Sequence, residues 1–406
     1  MKCYPLFSVF GIECEYMIVD ENTLATKPIS DILLQDKVGN YQNEIKNGEI
    51  AWNNEFALHV IELKTNGPTK NLIRLDEVFH QNILSINEKL KSHHAKLLGT
   101  GAHPLFDPEK ETVLWPHGDR IIYQTYEKIF GCRGHGWSNL QSVHLNLPFA
   151  NDKEFTQLHS AIRCLLPIIP ALTASTPLLE GKITGYLDTR LKYYGTNQRK
   201  IPIIAGDIIP ESISSMAEYQ SKILQKIYQA IAPYDSKGIL QEEWLNSRGA
   251  IARFERNAIE IRLIDTQECP LADIACANLF IIMLQRLLSG YYGDPKLQYT
   301  MEQETLCSIY QKTIRNGFAT EIDSLSYLEL FGLKKILNAK MLWKTLLEDA
   351  KNDIKDERYR TALEYIVIHG NLAERIIKIV GTTLDKPKII STYQKLADCL
   401  ANNTLL

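Results

Sequence analysis

Ionisable residues at alternate positions of two apolar segments constrain the fold of this chain most strongly. Glu13 and Glu15 lie in an apolar stretch near the N-terminus, and Glu260 and Arg262 have the same spacing in a later one. A β-strand turns alternate side chains to the same face, so each pair shares one face. Buried charges need partners. We predict a sheet that binds hard cations and a polyanion, as in a metal-dependent enzyme using a nucleoside triphosphate.

The composition excludes several classes of protein. Of 406 residues, 45% are apolar and 23% charged, as in an ordinary globular protein. The net charge of −3 argues against a nucleic-acid binder. We found no run of about eighteen apolar residues and therefore expect no membrane span. Eight cysteines without a Cys-x-x-Cys pair indicate free thiols and a cytoplasmic location.

The pattern of apolar residues predicts an α+β fold. A core over residues 1–290 should carry the strands, and a helical region over 291–406 should pack on it. The segment 106–136 has many Pro, Gly and aromatic residues, and we interpret it as a long functional loop, with closure over the site left open. We predict strands at 6–20, 56–65, 96–98, 140–147 and 258–265, and helices at 75–90, 155–166, 214–232, 271–288, 359–380 and 391–401.

Two more carboxylates and one histidine extend the candidate site. Glu55 and Glu62 are seven residues apart, so a regular strand would place them on opposite faces. They can share a face only if Glu55 lies in the preceding turn or a bulge intervenes. His144 lies in a strand with polar neighbours on its own face, and it is either a core histidine or a metal ligand.

Five segments resemble type 2 glutamate–cysteine ligases of the glutamine-synthetase-like superfamily. The segments appear in the order of the family's motifs and cover roughly residues 8–290. The chain departs from the family's pattern at two places. Gly101 is inserted in the turn, and the strand 140–147 keeps one histidine of a His-x-His pair. The segments are Gly11-Ile-Glu-Cys-Glu15, Gly99-Thr-Gly-Ala-His-Pro104, Ser142-Val-His-Leu-Asn-Leu147, Thr173–Arg190 and Ile259-Glu-Ile-Arg-Leu-Ile-Asp265.

This resemblance implies a largely antiparallel, curved sheet that forms a catalytic funnel flanked by helices, with a helical C-terminal part. It also implies ATP and Mg²⁺ or Mn²⁺ inside the funnel. One metal near the ATP phosphates would be held by Glu13, His144 and Glu260. Another, near the glutamate and the transferred phosphoryl group, would be held by Glu15, Glu55 and Glu62.

The resemblance also assigns the arginines and the reaction. Arg262 would bind the γ-phosphate and Arg190 a substrate carboxylate or phosphate, whereas Arg253 is either part of this lining or a solvated arginine. The reaction would join the γ-carboxylate of glutamate to the amine of cysteine through γ-glutamyl phosphate, as in glutathione biosynthesis.

Several alternatives stay open at this stage. The acceptor could be another amine, the enzyme could be a guanidinium or amine kinase of the same superfamily, or the chain could be a catalytically silent binding homologue. We expect small-molecule partners, no nucleic acid and no membrane, and leave the choice between monomer and homodimer open. His103, His117 and His135 are either substrate contacts or ordinary loop residues.

Overall fold

The computed structural model describes residues 3–381 and 383–406. Its larger sheet contains eight strands, all paired antiparallel. Two pairs of two-residue strands lie outside it. The strands are β1 Gly11–Asp20, β2 Glu44–Asn47, β3 Ile50–Asn54, β4 Val60–Thr65, β5 Ala95–Leu98, β6 Ser142–Pro148, β7 Leu178–Leu179, β8 Lys182–Ile183, β9 Ala250–Arg253, β10 Ala258–Asp265, β11 Glu321–Ile322 and β12 Leu337–Asn338.

Helices surround the larger sheet and make up most of the chain after it. One π-helical turn, Gln220–Leu224, joins two of them into a continuous helix. The α-helices are α1 Leu75–Leu90, α2 Pro108–Glu111, α3 Arg120–Phe130, α4 His135–Ser138, α5 Asp152–Leu165, α6 Ile169–Thr173, α7 Thr189–Tyr194, α8 Met216–Tyr219, α9 Gln225–Ile231, α10 Pro270–Ser289, α11 Leu297–Thr300, α12 Gln303–Asn316, α13 Leu325–Glu329, α14 Ala339–Ala350, α15 Glu357–His369, α16 Leu372–Val380 and α17 Lys386–Asn402.

Strand β1 organises the sheet, whose order is β2-β3-β4-β1-β6-β10-β9. One edge of β1 pairs with β4, and its other edge pairs first with β6 and then with β5. The even residues Ile12, Cys14 and Tyr16 are fully buried. Helices α1, α5 and α6 contact the sheet, and α10 packs on α1 and α5. The odd residues Glu13 and Glu15 are thereby left on the opposite, polar face.

The structure has strands that the sequence analysis missed. Strands β2 and β3 form a hairpin whose two-residue turn, Gly48 and Glu49, follows Asn47, and Gly48 has a φ of +67°. A glycine at the first position of a two-residue turn is typical of a hairpin, and we overlooked it in a polar segment. Strand β9, which ends at Arg253, was also missed. The predicted strand 56–65 begins only at Val60, because Phe56–His59 forms a turn.

Two predictions about helices were wrong. The segment 106–136 is not an irregular loop, because it contains α3, whose Tyr126 and Ile129 are buried one turn apart. The helix predicted over 359–380 is two helices, α15 and α16, separated at Gly370, where φ is +109°. Glycine tolerates this conformation and ends α15. The region after residue 300 also contains the short pair β11–β12, whereas we predicted helices only.

Two helical stretches, Asp152–Thr173 and Pro270–Ser289, are long and apolar enough to cross a membrane by length and composition alone. The most apolar windows of these stretches are 89% and 78% buried inside the protein. They therefore have the burial of core helices, which are apolar on most sides when the protein covers them.

The C-terminal helices pack on the sheet-bearing part through a buried polar cluster around Asp76 of α1. The Asp76 carboxylate accepts hydrogen bonds from the Tyr359 hydroxyl at 2.9 Å, from Arg358 at 3.0 Å and from Asn403 at 2.9 Å. Apolar residues before and after residue 290 belong to one core cluster. The proposed boundary at residue 290 therefore stays a prediction.

Removing one hydroxyl of this cluster should weaken the attachment of α15. The Tyr359 hydroxyl is buried and lies 2.7 Å from the Leu72 carbonyl oxygen as well as beside Asp76. Tyr359→Phe should lower the free energy of unfolding by about 1–2 kcal/mol, because buried acceptors lose their donor. Denaturant titration measures this, with the exposed Tyr291→Phe as a control expected to change little. Equal stability of both variants would contradict the prediction.

Candidate active site

The polar face of the sheet brings the predicted acids together. In the strand register, Glu13 lies opposite Lys64 on one side and His144 on the other, and Glu15 lies opposite Glu62. Glu260 follows on β10, opposite Asn146 of β6. Four neighbouring strands thus contribute ionisable side chains to one surface. Both predicted same-face pairs are present.

The acids form two groups whose oxygen and nitrogen atoms are close enough to share a cation. One atom from each of Glu13, Glu62 and His144 lies within 4.8 Å of the others, and the same holds for Glu15, Glu55 and Glu62. The second group is the set predicted from the sequence. In the first group Glu62 takes the place predicted for Glu260.

Glu55 reaches the site from a turn. It lies between the end of β3 and the start of β4, and its carboxylate accepts a hydrogen bond from the Phe56 amide at 3.3 Å. This resolves the spacing problem with Glu62, because a residue outside the strand does not follow its alternation. Of the two explanations that the sequence left open, the preceding turn is the one found.

Glu260 is held between two arginines. Its carboxylate accepts a hydrogen bond from Arg262 at 2.5 Å and another from Arg253 at 3.1 Å, and it lies 3.9 Å from His144 Nδ1. Arg253 is only 6% exposed, so its interpretation as a solvated arginine was wrong. The assignment of Glu260 to a metal stays a prediction.

Arg190 lies deeper than the other arginines. It is 2% exposed, and its Nε donates to the buried Asp265 carboxylate. Its two terminal nitrogens each lie 3.4 Å from the backbone oxygen of Arg262. Arg190 lines the central cavity but is already bound to the end of β10, so it holds the strand that carries Glu260 and Arg262.

Proximity of the acids changes their protonation. Burial, with the charge of Glu15 adding to it, raises the pKa of Glu55 to about 8. Burial also raises the pKa of Glu62, and Glu13 and Glu55 add to this rise. Burial alone would lower the pKa of His144, but its hydrogen bond with Glu13 and the nearby carboxylates raise it to about 9. Without a metal the site therefore holds protons that a cation would displace.

The cavity over this face has a volume of about 350 Å³. All nine predicted site residues line it, together with groups that the sequence analysis did not single out. The aromatic content of the segment 106–136 was a signal for two of them, Tyr123 and Tyr126. The missed lining residues include Phe56, Lys64, Tyr123, Tyr126, Trp137, Tyr194, Asn197, Gln198, Trp244 and Arg256.

The three loop histidines lie elsewhere. His103 is buried, with Nε2 2.8 Å from the Leu24 carbonyl oxygen, and burial lowers its pKa to about 4. His117 Nε2 lies 3.1 Å from Asp31, and His135 Nε2 lies 3.4 Å from Glu180. None of the three is among the described residues that line the cavity. Their interpretation as ordinary loop residues agrees with this placement.

A family model described as Glutamate-cysteine ligase family 2 matches residues 9–394. An uncharacterized protein of Archaeoglobus fulgidus is 36% identical over 399 residues, which cover 97% of this chain and 99% of that protein. A putative glutamate–cysteine ligase 2 of Rhodopirellula baltica is 25% identical over 218 residues, or 52% of this chain and 53% of that protein.

A solved structure has the same fold. The crystal structure of glutamate–cysteine ligase from Francisella tularensis in complex with AMP matches with a TM-score of 0.64. The match covers 99% of this chain and 90% of that one, at 15% identity. At this identity the likeness concerns the fold alone, and it confirms the α+β fold predicted from the sequence.

The raised pKa values predict a pH dependence of stability. The folded protein holds protons on Glu55 up to pH 8 and on His144 up to pH 9, whereas the unfolded chain releases them near 4.5 and 6.5. Folding is therefore favoured at low pH by these groups. As the pH rises, the contribution of Glu55 is lost between 4.5 and about 8, and that of His144 between 6.5 and about 9.

We expect the metal-free protein to lose stability over these pH ranges. Glu55→Gln should reduce the loss, because a neutral amide has no proton to release. Thermal unfolding in a chelator at several pH values measures the effect, and the exposed Glu49→Gln is the matched control. A stability profile that Glu55→Gln leaves as steep as in the wild type would contradict this account.

Proposed function

Since the chain belongs to glutamate–cysteine ligase family 2 and is an ATP-dependent carboxylate–amine ligase, we propose that it acts on the γ-carboxylate of glutamate. Activation would give γ-glutamyl phosphate and ADP. An amine would then displace phosphate. Cysteine is the acceptor that the family name indicates, and another primary amine is the alternative. The aromatic side chains that line the cavity favour this alternative.

One observation carries the proposal: carboxylates from β1, β4, β10 and the β3–β4 turn converge in a single cavity with one imidazole and with Arg253 and Arg262, which both bind Glu260. Oxygen-rich groups with one nitrogen suit Mg²⁺ or Mn²⁺ better than zinc. Glu15, Glu55 and Glu62 would hold one ion, and Glu13 and His144 would contribute to another. Divalent ions at these positions supply positive charge for the phosphate oxygens.

The chemistry begins with two anions that repel each other. A γ-carboxylate oxygen of glutamate attacks the γ-phosphorus of ATP, and the bond to the β,γ-bridging oxygen breaks as ADP leaves. Arg262 would stabilise the transferring phosphoryl group, since its planar guanidinium can donate two parallel hydrogen bonds. Glu260, whose pKa is lowered to about 2 by Arg262, His144 and Arg253 against the effect of burial, orients that guanidinium.

The second step forms the amide. The amine nitrogen attacks the acyl carbon, the bond from that carbon to the phosphate oxygen breaks, and inorganic phosphate leaves with the electron pair. The ammonium proton passes to solvent or to a phosphate oxygen. Arg190, which was predicted to bind a substrate carboxylate, instead acts as a positioning residue in this proposal, because Asp265 already occupies its Nε.

A second cavity suits the base of ATP. It has a volume of about 470 Å³ and shares Glu13, Lys64 and Arg256 with the first. Its walls include Phe10 and Pro148, so an apolar slot opens directly beside the acids. We assign it to the adenine, with the triphosphate directed along the sheet toward Arg262.

We also propose a cytoplasmic location and small-molecule substrates. All eight cysteines are free, and six of them are buried, as is usual in a reducing compartment. The cavity is sized for substrates of a few hundred daltons rather than for a protein segment.

Product analysis tests the proposed function. With ATP, Mg²⁺ and glutamate, an amine should cause release of ADP and phosphate and give a γ-glutamyl amide that mass spectrometry identifies. A chelator should abolish this release. A phosphorylated acceptor without amide would indicate a kinase instead. No metal-dependent ATP turnover with any acid and amine tested would indicate a silent homologue.

Arg262→Lys should lower kcat by about a hundredfold, because a single ammonium replaces two parallel donors at the transferring phosphoryl group. The KM for the amine should change far less, since the acceptor does not contact this group. Arg120→Lys, on the exposed start of α3, is the control and should keep wild-type rates. An Arg262→Lys enzyme with wild-type kcat would exclude the assigned role.

A further inference from the structure

The central cavity has an aromatic side that the proposed phosphoryl transfer does not use. We call it the aromatic wall and define it by Phe56, Tyr123, Tyr126, Trp137 and Trp244, all of which line the cavity. These residues come from the β3–β4 turn, from α3, from α4 and from the segment before β9. Phe56 directly follows Glu55, so the wall begins next to the second group of acids.

The rings of the wall pack against one another. Their centroids are separated by 5.4 Å for Phe56–Tyr123, 5.8 Å for Phe56–Trp137 and 5.1 Å for Tyr126–Trp137. Trp244 continues the row at 5.9 Å from Tyr126. These are ordinary distances for aromatic pairs. The result is a continuous apolar surface beside a pocket of charged groups.

The wall is fixed in place by a close contact between α4 and the segment after α7. A Cβ at Gly136 would lie 2.8 Å from the Asn197 side chain, so only glycine fits there. Asn197 Nδ2 donates to the Gly136 carbonyl oxygen at 2.9 Å, and Trp137 Nε1 donates to the Asn197 carbonyl oxygen at 3.2 Å. The indole of Trp137 is therefore held before any substrate arrives.

Two side-chain oxygens beside the wall lack donors. Gln198 is 3% exposed, and its Nε2 donates to Ser247 at 2.7 Å, which fixes the orientation of the amide. The Oε1 of Gln198 and the Oδ1 of Asn197 accept no hydrogen bond from the described residues. Both residues line the cavity. Buried acceptors without donors are costly. Both oxygens are covered in the present arrangement, and a small shift of either side chain would present its oxygen to a ligand N–H.

We propose that the aromatic wall is the acceptor subsite and that the acceptor is a primary amine carrying an aromatic ring. The ring would stack on Trp137 and Trp244, and the amine would donate to the amide oxygens of Asn197 and Gln198 before it attacks the acyl phosphate. This inference rests on the proposed function. The side chain of cysteine would cover only a small part of the wall and leave its rings exposed to water.

A panel of acceptors tests the inference. Hydroxylamine, cysteine, three aromatic amino acids and their decarboxylated amines are each supplied with ATP, Mg²⁺ and glutamate, and the products are identified by mass spectrometry. We expect γ-glutamyl amides of the aromatic compounds, with a kcat/KM above that of cysteine. Comparison of each amino acid with its amine shows whether the α-carboxylate is recognised.

The panel distinguishes failure of the aromatic-acceptor inference from failure of the proposed ligase function. Hydroxylamine is small and traps an acyl phosphate without needing the wall. Formation of γ-glutamyl hydroxamate while cysteine outperforms every aromatic acceptor would overturn the aromatic acceptor and keep the ligase. Absence of hydroxamate and of all amides with glutamate would overturn both.

Variants of the wall provide the second test. Trp137→Leu and Trp244→Leu should each raise the KM for the aromatic acceptor about tenfold and change the KM for cysteine much less. Trp137→Phe keeps a ring and should restore most of the affinity. Ile121→Ala, on the 50% exposed outer face of α3, is the control. Equal increases in KM for cysteine and for the aromatic acceptor would overturn the proposal.

Discussion

The crowding of carboxylates on one face of the sheet is the interaction on which the rest of this structure depends. Glu15 and Glu62 lie opposite each other in the register and are 7% and 5% exposed, so neither can rely on water to screen its charge. The protein compensates with a raised pKa of Glu62, with the protonated His144 and with Lys64, which lies 3.7 Å from Glu62. The carboxylates are stable this close together only when protons or cations neutralise them. Such a site is suited to release its protons when cations bind.

The alternation of the strands makes this possible without disturbing the core. Each strand that presents an acid to the cavity presents an apolar residue to the helices, as Ile12 and Cys14 do on either side of Glu13. On β10 the register with β6 shifts between Ile261 and Ile264. Such an irregularity bends a strand and changes the direction of the side chains near it.

The strands that carry the acids could be predicted, because the alternation of charged and apolar residues along a strand is visible in the sequence itself. The grouping of Glu15, Glu55 and Glu62 came from the family resemblance, because alternation alone would place Glu55 and Glu62 on opposite faces. The sequence did not predict that Glu62 also reaches the first group, because cross-strand proximity depends on register, which no local pattern specifies. Helix α3 was not predicted, because the Pro and Gly residues around it favour a loop and its buried positions, such as Tyr126 and Ile129, are few.

The two sides of the cavity rest on different kinds of structure, and this has a functional consequence. All the acids except Glu55 sit on paired strands, and the hydrogen bonds between these strands and the Arg190–Asp265 contact hold them with little freedom. The aromatic wall sits on short helices and turns outside the sheet. Side chains there can change without breaking a ladder hydrogen bond. The proposed phosphoryl transfer and the proposed acceptor choice therefore depend on separate elements, except at the Glu55–Phe56 peptide, where the two sides meet.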